Sequence, residues 1–229
     1  MYHDYSVQSN VRSFLYNVYG LMAAALLITA GTAYYVAQTP AIYTAVLSHT
    51  WGLILIAVVQ IGLVIAIQAL LQRISFATAM LLFFLFAISM GVSTSVIFLV
   101  FEVASIFKTF LITAGMFGVM SIYGYLTRSD LTTAGNIAFM ALIGLVIAGF
   151  VNIFVQSTQF DLVISGIGVL VFTVLTAYDT QKLKVLAQHL FADHETVAKV
   201  AIVGALTLYL DFINLFLFLL RFMGQKRQE

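Results

Sequence analysis

Seven long apolar runs dominate this sequence and leave little chain between them. The runs cover residues 14–38, 51–71, 76–101, 106–126, 135–155, 162–178 and 202–220. Each run is close to the roughly 20 apolar residues that one crossing of a bilayer requires. A chain in lipid must satisfy its own backbone, and the runs lack the alternating pattern of barrel strands. We therefore expect an all-α polytopic membrane protein with seven transmembrane helices.

The composition excludes several other classes of protein. Of the 229 residues, 62% are hydrophobic and 8% are charged, so no separate soluble domain fits beside the seven runs. Ten Lys and Arg residues balance nine Asp and Glu residues, which argues against a nucleic-acid partner. The chain contains no Cys, which excludes disulfides and thiolate metal sites. The predicted organisation is an N-terminal tail over 1–13, a single transmembrane domain over 14–222 and a C-terminal tail over 223–229.

The positive charges in the connections predict the orientation of the chain. If the N-terminus is cytoplasmic, the outer connections carry only Lys108. The inner connections then carry Arg73, Arg128, Lys182, Lys184 and Lys199. Because Lys and Arg concentrate on the cytoplasmic side of membrane proteins, the N-terminus is predicted to be cytoplasmic. The longest connection, residues 179–199, is expected to form a short amphipathic helix between the sixth and seventh runs at the cytoplasmic surface, either as a solvated connector or as a gate or docking surface.

Asp211 is the clearest ionisable residue inside an apolar run. It lies near the middle of the seventh run, and it shares one helical face with Gly204, Thr207 and Asn214 at three- and four-residue steps. An ionisable side chain in a bilayer is costly, so it marks a functional site by default. Thr207 and Asn214 are candidate pore or cation contacts on this face. The alternative is a protonated Asp that holds neighbouring helices together by hydrogen bonding.

Asp179 ends the sixth run and is the second candidate. The sixth run descends to the predicted cytoplasmic side and the seventh ascends from it, so the carboxylates of Asp179 and Asp211 are expected to meet there. Two such carboxylates share one proton and titrate as a unit, which makes a pH-sensitive latch. A hard cation such as Ca²⁺ could replace the proton, with Asn214 and Tyr178 as weak additional ligands. The alternative is an interfacial carboxylate that pairs with Lys182.

Two further charged residues flank the third run. Arg73 precedes this run on the same predicted side as Asp179, where it could pair with the two carboxylates and compete with a cation. Its alternative role is an anchor that extends to the membrane interface. Glu102 follows the run on the predicted outer side, where it could attract cations to an outer mouth or simply mark the helix boundary.

Three segments resemble the Bax-inhibitor-motif (TMBIM) family, in particular its bacterial inner-membrane members. The segments are MSIYGYLTRSDLTTAGNIAFMALIGLVIAGFVNIF, LTAYDTQKLK and GALTLYLDFINLFLFLLRF. The resemblance implies seven helices, with the last one central and the other six wrapped around it as three hairpins. It also implies a pH-sensitive Ca²⁺ leak in which Asp179 and Asp211 form a di-aspartyl sensor and Arg73 acts as its latch. Some members carry a carboxylate in the second helix, where this chain has Gln60.

The resemblance also implies a location and a set of partners. The expected location is the bacterial inner membrane, and the expected ligands are protons and calcium ions. Calcium would permeate or bind weakly at Asp179 and Asp211, with no tightly bound cofactor and no enzymatic activity. Some bacterial members associate with a membrane-bound AAA protease, so the resemblance admits such a partner here.

Two other functions stay open at this point. A scaffold or regulator of membrane proteins, or of a membrane-bound protease, would explain small-residue positions such as Gly144 and Gly149 but not Asp211. An intramembrane aspartyl protease also uses two Asp residues on successive helices that share a proton. Against that reading, Asp211 lies in LYLDF rather than in a Gly-x-Gly-Asp pattern, and the single Pro of the chain is Pro40, far from it in sequence.

Overall fold

Helices make up the regular secondary structure of the computed structural model, which describes residues 2–46, 49–190 and 193–227. An apolar environment favours helices because they satisfy the backbone within one segment. Within the described residues, the only β-type pairing is one isolated antiparallel bridge between Phe101 and Lys226. The helices are α1 Tyr2–Ala37, α2 Pro40–Val46, α3 Thr50–Leu70, α4 Phe76–Thr94, α5 Ile97–Val100, α6 Val103–Leu126, α7 Thr132–Val155, α8 Thr158–His189 and α9 His194–Met223.

Among the described residues, seven helical stretches are long and apolar enough to cross a membrane. They are Asn10–Ala37, Trp51–Leu70, Phe76–Val100, Val103–Leu126, Thr132–Val155, Thr158–His189 and His194–Met223. They match the seven apolar runs one to one, so the predicted all-α, seven-span fold is confirmed. The last stretch is the most buried, since 67% of its most apolar window is buried against 44% for the sixth. This burial agrees with the expected central place of the last helix.

The third apolar run is not one continuous helix. α4 ends at Thr94 and α5 begins at Ile97, with Ser95 and Val96 in a turn between them. The Ser95 hydroxyl donates to the Val92 carbonyl oxygen at 2.7 Å. Because the last carbonyls of a helix lack partners within it, this bond satisfies one acceptor where α4 ends.

The prediction of a separate helix over residues 179–199 is wrong. α8 continues without interruption to His189 and α9 begins at His194. The connection is therefore residues 190–193, of which 191 and 192 lie outside the described residues. Asp179 thus lies well inside a helix rather than at the end of one.

The sequence of α8 explains why the helix continues past the apolar run. No Gly or Pro occurs between Gly168 and Gly204, so no residue there favours a helix end. Thr180, Leu183 and Ala187 follow at three- and four-residue steps, and all three are buried. The last turns of α8 therefore keep a buried face although their exposed side is charged.

The contacts within the chain form two compact units. The first comprises the chain up to Val100 together with Ala187–Tyr209, and the second comprises Phe101–Leu186 together with the chain from Leu210 onward. α9 contributes its first half to the first unit and its second half to the second unit.

A buried chain of hydrogen bonds joins three helices in the first unit. The Thr29 hydroxyl of α1 donates to the Ala87 carbonyl oxygen of α4 at 2.9 Å. The Tyr209 hydroxyl of α9 lies 2.6 Å from the same Thr29 oxygen. Because Thr29 has one hydroxyl proton and directs it to Ala87, Tyr209 must be the donor to Thr29. The rings of Phe83 and Phe86 pack edge-on against the Tyr209 ring.

Gln60 is the polar contact of α3 with α4. Its amide nitrogen donates to the Ser89 carbonyl oxygen at 3.1 Å and to the Ser93 hydroxyl at 2.9 Å. An amide in an apolar helix needs such partners because an unmade hydrogen bond there is costly. The presence of a polar side chain at position 60, within the second apolar run, is thus accounted for by its packing.

The second unit holds the C-terminal tail against the start of α6. The Glu102 backbone nitrogen donates to the Gln225 carbonyl oxygen at 3.0 Å, and the Gln225 backbone nitrogen donates to the Ser105 hydroxyl at 2.9 Å. Aromatic packing continues along α6, where Phe110 and Phe117 contact Phe212 of α9 with ring centroids 5.5 and 5.4 Å apart. These contacts fix the second half of α9 beside α6.

Candidate functional site

Close packing brings α8 and α9 together in the second unit. The ring of Phe218 on α9 lies against Gly168 of α8, where a methyl group on the glycine would collide with the ring. The ring of Phe172 stacks on Phe218 at a centroid distance of 5.7 Å. The absence of a side chain at Gly168 therefore lets the large ring sit directly on the α8 backbone. This contact packs the two helices side by side about three turns of α8 before Asp179.

The carboxyl groups of Asp179 on α8 and Asp211 on α9 lie close enough to act directly on each other. Asp211 is 5% exposed, and its Oδ2 atom has no hydrogen-bond partner among the described residues. Asp179 is half-buried. Two carboxylates at this separation and burial cannot easily both be charged, so such a pair holds a proton between its oxygens. The structure thus brings together the two Asp residues that the sequence singled out.

Lys182 is the positive charge that acts on this pair. It lies one turn beyond Asp179 on α8, and its charge acts on the Asp179 carboxylate. Its ammonium nitrogen also lies 5.9 Å from the centroid of the Tyr178 ring. Lys182 is itself exposed, so solvent screens its effect on the carboxylate. Lys182 therefore does not neutralise the Asp179–Asp211 pair as a buried cation would.

The polar residues expected beside Asp211 are bonded to their own helix. Asn214 donates from its amide nitrogen to the Leu210 carbonyl oxygen at 2.8 Å. Thr207 donates from its hydroxyl to the Val203 carbonyl oxygen at 3.1 Å. In both cases the side-chain oxygen keeps acceptor capacity, which is the property that a cation contact requires.

The remaining predicted site residues occupy three different places. The Tyr178 ring lies on Gly135 of α7. Glu102 is half-buried at the start of α6 and makes no side-chain cap to that helix. Arg73 belongs to the first unit, where it is exposed in the turn after α3 and its backbone nitrogen donates to the Leu70 carbonyl oxygen at 2.8 Å.

The segment of α8 around Asp179 is packed against the end of α6 and the start of α7 through two glycines. A methyl group on Gly124 of α6 would collide with the Ala177 backbone. A methyl group on Gly135 of α7 would collide with the Tyr178 ring. Glycine is required at both positions because the α8 backbone or ring occupies the space of a side chain.

Two side chains of α8 bind the connection between α6 and α7. The Gln181 amide accepts from the Leu131 backbone nitrogen at 2.9 Å and donates to the Ser129 carbonyl oxygen at 2.8 Å. The Lys184 ammonium donates to the Tyr125 and Thr127 carbonyl oxygens at 2.7 and 3.3 Å. Lys184 therefore satisfies acceptors that the end of α6 leaves without helical partners.

Asp130 organises the same connection from within. Its Oδ1 atom accepts from the Thr132 backbone nitrogen at 2.8 Å and from the Thr132 hydroxyl at 2.6 Å. These hydrogen bonds stabilise the charged carboxylate and lower the pKa of Asp130 below its ordinary value. The connection that Gln181 binds is thus itself ordered at the start of α7.

Sequence reasoning did not assign a role to Gln181, Lys184, Gly124 or Gly135. Lys184 was considered only as a positive charge in a predicted inner connection. Gln181 was considered only as part of the LTAYDTQKLK segment. The available signal was that Gln181 lies two residues from Asp179 in a helix, but its partners are 50 and 52 residues away in sequence. Contacts over that distance have no local pattern in the sequence.

Comparison with known proteins places this arrangement in context. A family model described as "Inhibitor of apoptosis-promoting Bax1" matches residues 11–228. The inner membrane protein YbhL of Escherichia coli K12 is 44% identical over 221 residues, which cover 96% of this chain and 94% of YbhL. A protein of Borreliella burgdorferi is 44% identical over 94% of this chain and 93% of its own length. The protein RP147 of Rickettsia prowazekii is 40% identical over 95% of this chain and 91% of its own length.

Proposed function

The chain belongs to the Bax-inhibitor-motif family of membrane proteins, and on that premise we propose that it is a pH-sensitive, calcium-permeable leak gated by Asp179 and Asp211. The observation that carries the proposal is the contact between these two carboxyl groups on successive helices. We place the protein in a bacterial inner membrane with its N-terminus in the cytoplasm, in line with the name of the relative YbhL and the Lys and Arg distribution.

The gate works through the shared proton. When one proton lies between the carboxyl oxygens, α8 and α9 stay together at Asp179 and Asp211. When that proton leaves, two unit charges about 4 Å apart repel by about 4 kcal/mol at an effective dielectric constant of about 20. This energy corresponds to roughly a thousandfold change in an equilibrium constant, which is enough to convert a mostly closed gate into a mostly open one.

The buried position of Asp211 makes the loss of the proton consequential. Its Oδ2 atom is buried without a hydrogen-bond partner among the described residues. A charge on that oxygen would be neither solvated nor paired, which is costly in an apolar interior. Separation of the helices relieves this cost because it admits water or a cation to the carboxylates.

A calcium ion would replace the proton rather than remain bound. Ca²⁺ prefers about 6 to 8 oxygen ligands, and the two carboxylates supply only a few of them. Among the described residues no three His, Asp or Glu side chains group together. Asn214 would add a neutral oxygen, with Thr207 one turn earlier on α9 and Glu102 at the outer end of the path. Tyr178, whose ring packs on Gly135, would have to turn away from α7 to contribute its hydroxyl. Such a site binds weakly, which suits passage of the ion.

The proposal also assigns ligands and partners. The protein acts in the lipid bilayer on protons and calcium ions, without enzymatic activity and without a tightly bound cofactor. Arg73 is proposed as the latch of the gate because of the resemblance to the family, and Arg73→Ala should then weaken the closed state. A membrane-bound AAA protease is a proposed protein partner.

Calcium uptake into liposomes that contain the purified protein tests the proposal. The wild type should show uptake that rises with pH over about pH 6 to 8, whereas Asp179→Asn and Asp211→Asn should abolish the pH response. Asp161→Asn is the matched control, because Asp161 lies in the first turn of α8, far along the helix from the pair. If both variants keep the wild-type pH profile, the proposal is wrong.

An intramembrane aspartyl protease is the second candidate, because it too requires two adjacent carboxylates that share a proton. The same contact between Asp179 and Asp211 favours it. Cleavage of a transmembrane peptide, lost in both Asn variants, would support this function. A well-folded wild type that shows neither flux nor cleavage would favour a scaffold or regulator of membrane proteins.

A further inference from the structure

We propose that Gln181 is a positioning residue for Asp179, which it holds against Asp211 by binding α8 to the connection between α6 and α7. The inference deepens the proposed function and rests on it for one of the two measurements below. Gln181 does not touch the carboxyl pair, so its effect must be transmitted through the position of α8.

The Gln181 amide is fixed in both of its polar atoms. Its oxygen accepts from the Leu131 backbone nitrogen at 2.9 Å, and its nitrogen donates to the Ser129 carbonyl oxygen at 2.8 Å. Because one hydrogen bond uses the amide donor and the other uses the amide acceptor, the two together define the orientation of the side chain and its position along the connection. Neither a carboxylate nor an aliphatic side chain can make both bonds.

The contacts with α6 and α7 lie on the side of α8 opposite Asp179. Successive residues of an α-helix are rotated by about 100°. On that scale Ala177, Tyr178, Gln181 and Lys184 fall on one face, and Asp179 points about 170° away from its centre. The first four contact Gly124, Gly135 or the connection after α6. α6, α7 and the connection between them therefore contact one face of α8, while Asp179 on the opposite face points toward α9.

This support limits the ways in which α8 can leave α9. The backbone contact at Gly124 and the ring contact at Gly135 are packing contacts without a preferred direction, so they resist a small slide or turn of α8 less than hydrogen bonds do. The two hydrogen bonds of Gln181 are directional and oppose such movement. Their loss should let α8 shift within its groove and weaken the sharing of the proton between Asp179 and Asp211.

Several charged groups lie near the pair and its support. Asp211 of α9 and Lys182 of α8 act on the Asp179 carboxylate. On the hairpin side are Lys184 of α8, Tyr125 of α6, and Arg128 and Asp130 in the connection. All of them stay unchanged in the flux variants Gln181→Leu and Gln188→Leu, so an altered pH response of the flux reports on Gln181 alone.

The first test compares Gln181→Leu with Gln188→Leu. Gln188 is exposed on the same helix, so the control makes the same chemical change away from the connection. Loss of two ordinary hydrogen bonds should lower the closed-to-open ratio roughly tenfold. The midpoint of the calcium flux should therefore move about one pH unit lower in Gln181→Leu and not in Gln188→Leu. Equal midpoints in the wild type and Gln181→Leu would overturn the inference.

The second test does not depend on ion flux. The chain contains no Cys, so Asp179→Cys with Asp211→Cys creates a single thiol pair. Cross-linking of this pair by oxidation or by a short bifunctional thiol reagent should be at least about threefold slower with Gln181→Leu than with Gln188→Leu. Equal rates would show that Gln181 does not position Asp179.

The two tests separate the inference from the proposed function. Slower cross-linking in a protein without pH-dependent flux would support the positioning role of Gln181 and refute the leak. If Gln181→Leu fails to fold, Gln181→Asn supplies the same comparison, since its shorter side chain keeps the amide but does not span to both Ser129 and Leu131. Wild-type behaviour of a folded Gln181→Asn in both tests would overturn the inference.

Discussion

Replacement of Thr29 by Val should destabilise the protein because it leaves one buried hydroxyl group, that of Tyr209, without a hydrogen-bond partner. Thr29 accepts a hydrogen bond from the Tyr209 hydroxyl and donates one to the Ala87 carbonyl oxygen. Val has nearly the shape of Thr, so packing is preserved while both bonds are lost. Ala87 lies inside α4, where its carbonyl oxygen keeps its helical partner. The group left without a partner is therefore the hydroxyl of Tyr209, which is fully buried.

The size of the effect follows from that hydroxyl. A buried donor without a partner costs about 1–3 kcal/mol. Hydrogen bonds between helices in membranes average about 0.6 kcal/mol, with a maximum of about 1.7. We therefore expect Thr29→Val to lower the free energy of unfolding by about 1–2 kcal/mol. Tyr209→Phe should cost less, about 0.5–1 kcal/mol, because Thr29 keeps its bond to Ala87.

The double variant gives the sharper expectation. With Thr29→Val and Tyr209→Phe together, no buried hydroxyl remains unpaired, so the cost should be close to that of Tyr209→Phe alone. The two changes should thus be non-additive by about 1 kcal/mol. Equilibrium unfolding in mixed micelles, followed by helical circular dichroism, measures all four proteins. Thr39→Val is the control, because the Thr39 hydroxyl bonds only within its own stretch of chain, to the Tyr35 carbonyl oxygen.

Additive losses in this cycle would refute the reasoning. Additivity would mean that Thr29 and Tyr209 contribute separately, and that the 2.6 Å contact between their oxygens carries no energy of its own. A loss in Thr39→Val as large as that in Thr29→Val would point instead to a general effect of replacing Thr by Val, and not to the unpaired Tyr209 hydroxyl.

Two further predictions concern a close approach and a helix start. Gly124→Ala should lower the free energy of unfolding by about 1–3 kcal/mol because the methyl group meets the Ala177 backbone. Gly118→Ala is the control, and it should be neutral or stabilising because the space around Gly118 is open. Thermal unfolding compares the two variants. Asp193→Asn should destabilise the start of α9, measured by unfolding across acidic pH. Hydrogen bonds from Thr196 lower the pKa of Asp193 below its ordinary 3.8, so the charged carboxylate stabilises the folded protein above that pH. The difference in unfolding free energy between the wild type and Asp193→Asn should therefore vanish as the pH falls through the lowered pKa.

The sequence was most informative where a single physical demand acts on a long segment. Seven runs of sufficient apolar length predict seven spans because lipid imposes the same requirement on every residue of a crossing. The same reasoning misplaced the end of α8, because apolar length marks where a helix leaves the membrane rather than where it ends. The buried face at Leu183 and Ala187 carries the helix on to His189.

The candidate site was predictable in part for a related reason. A charged residue in an apolar run is conspicuous, and successive helices bring Asp179 and Asp211 to the same side, so their meeting followed from topology. The support behind Asp179 was not predictable, because Gln181 is an ordinary residue for a helix and Gly135 an ordinary one for a membrane span. Their importance depends on which backbone atoms of another helix arrive beside them, and local sequence does not encode this.

The central claim is that Asp179 and Asp211 hold one proton between them and that its loss opens the path. Infrared difference spectroscopy of the protein in lipid observes protonated carboxyl groups directly. The account predicts a protonated carboxyl band equivalent to one group per protein, which disappears over the same pH range in which calcium flux rises and is absent in Asp211→Asn. A band that is missing throughout this range, or that Asp211→Asn leaves unchanged, would contradict it.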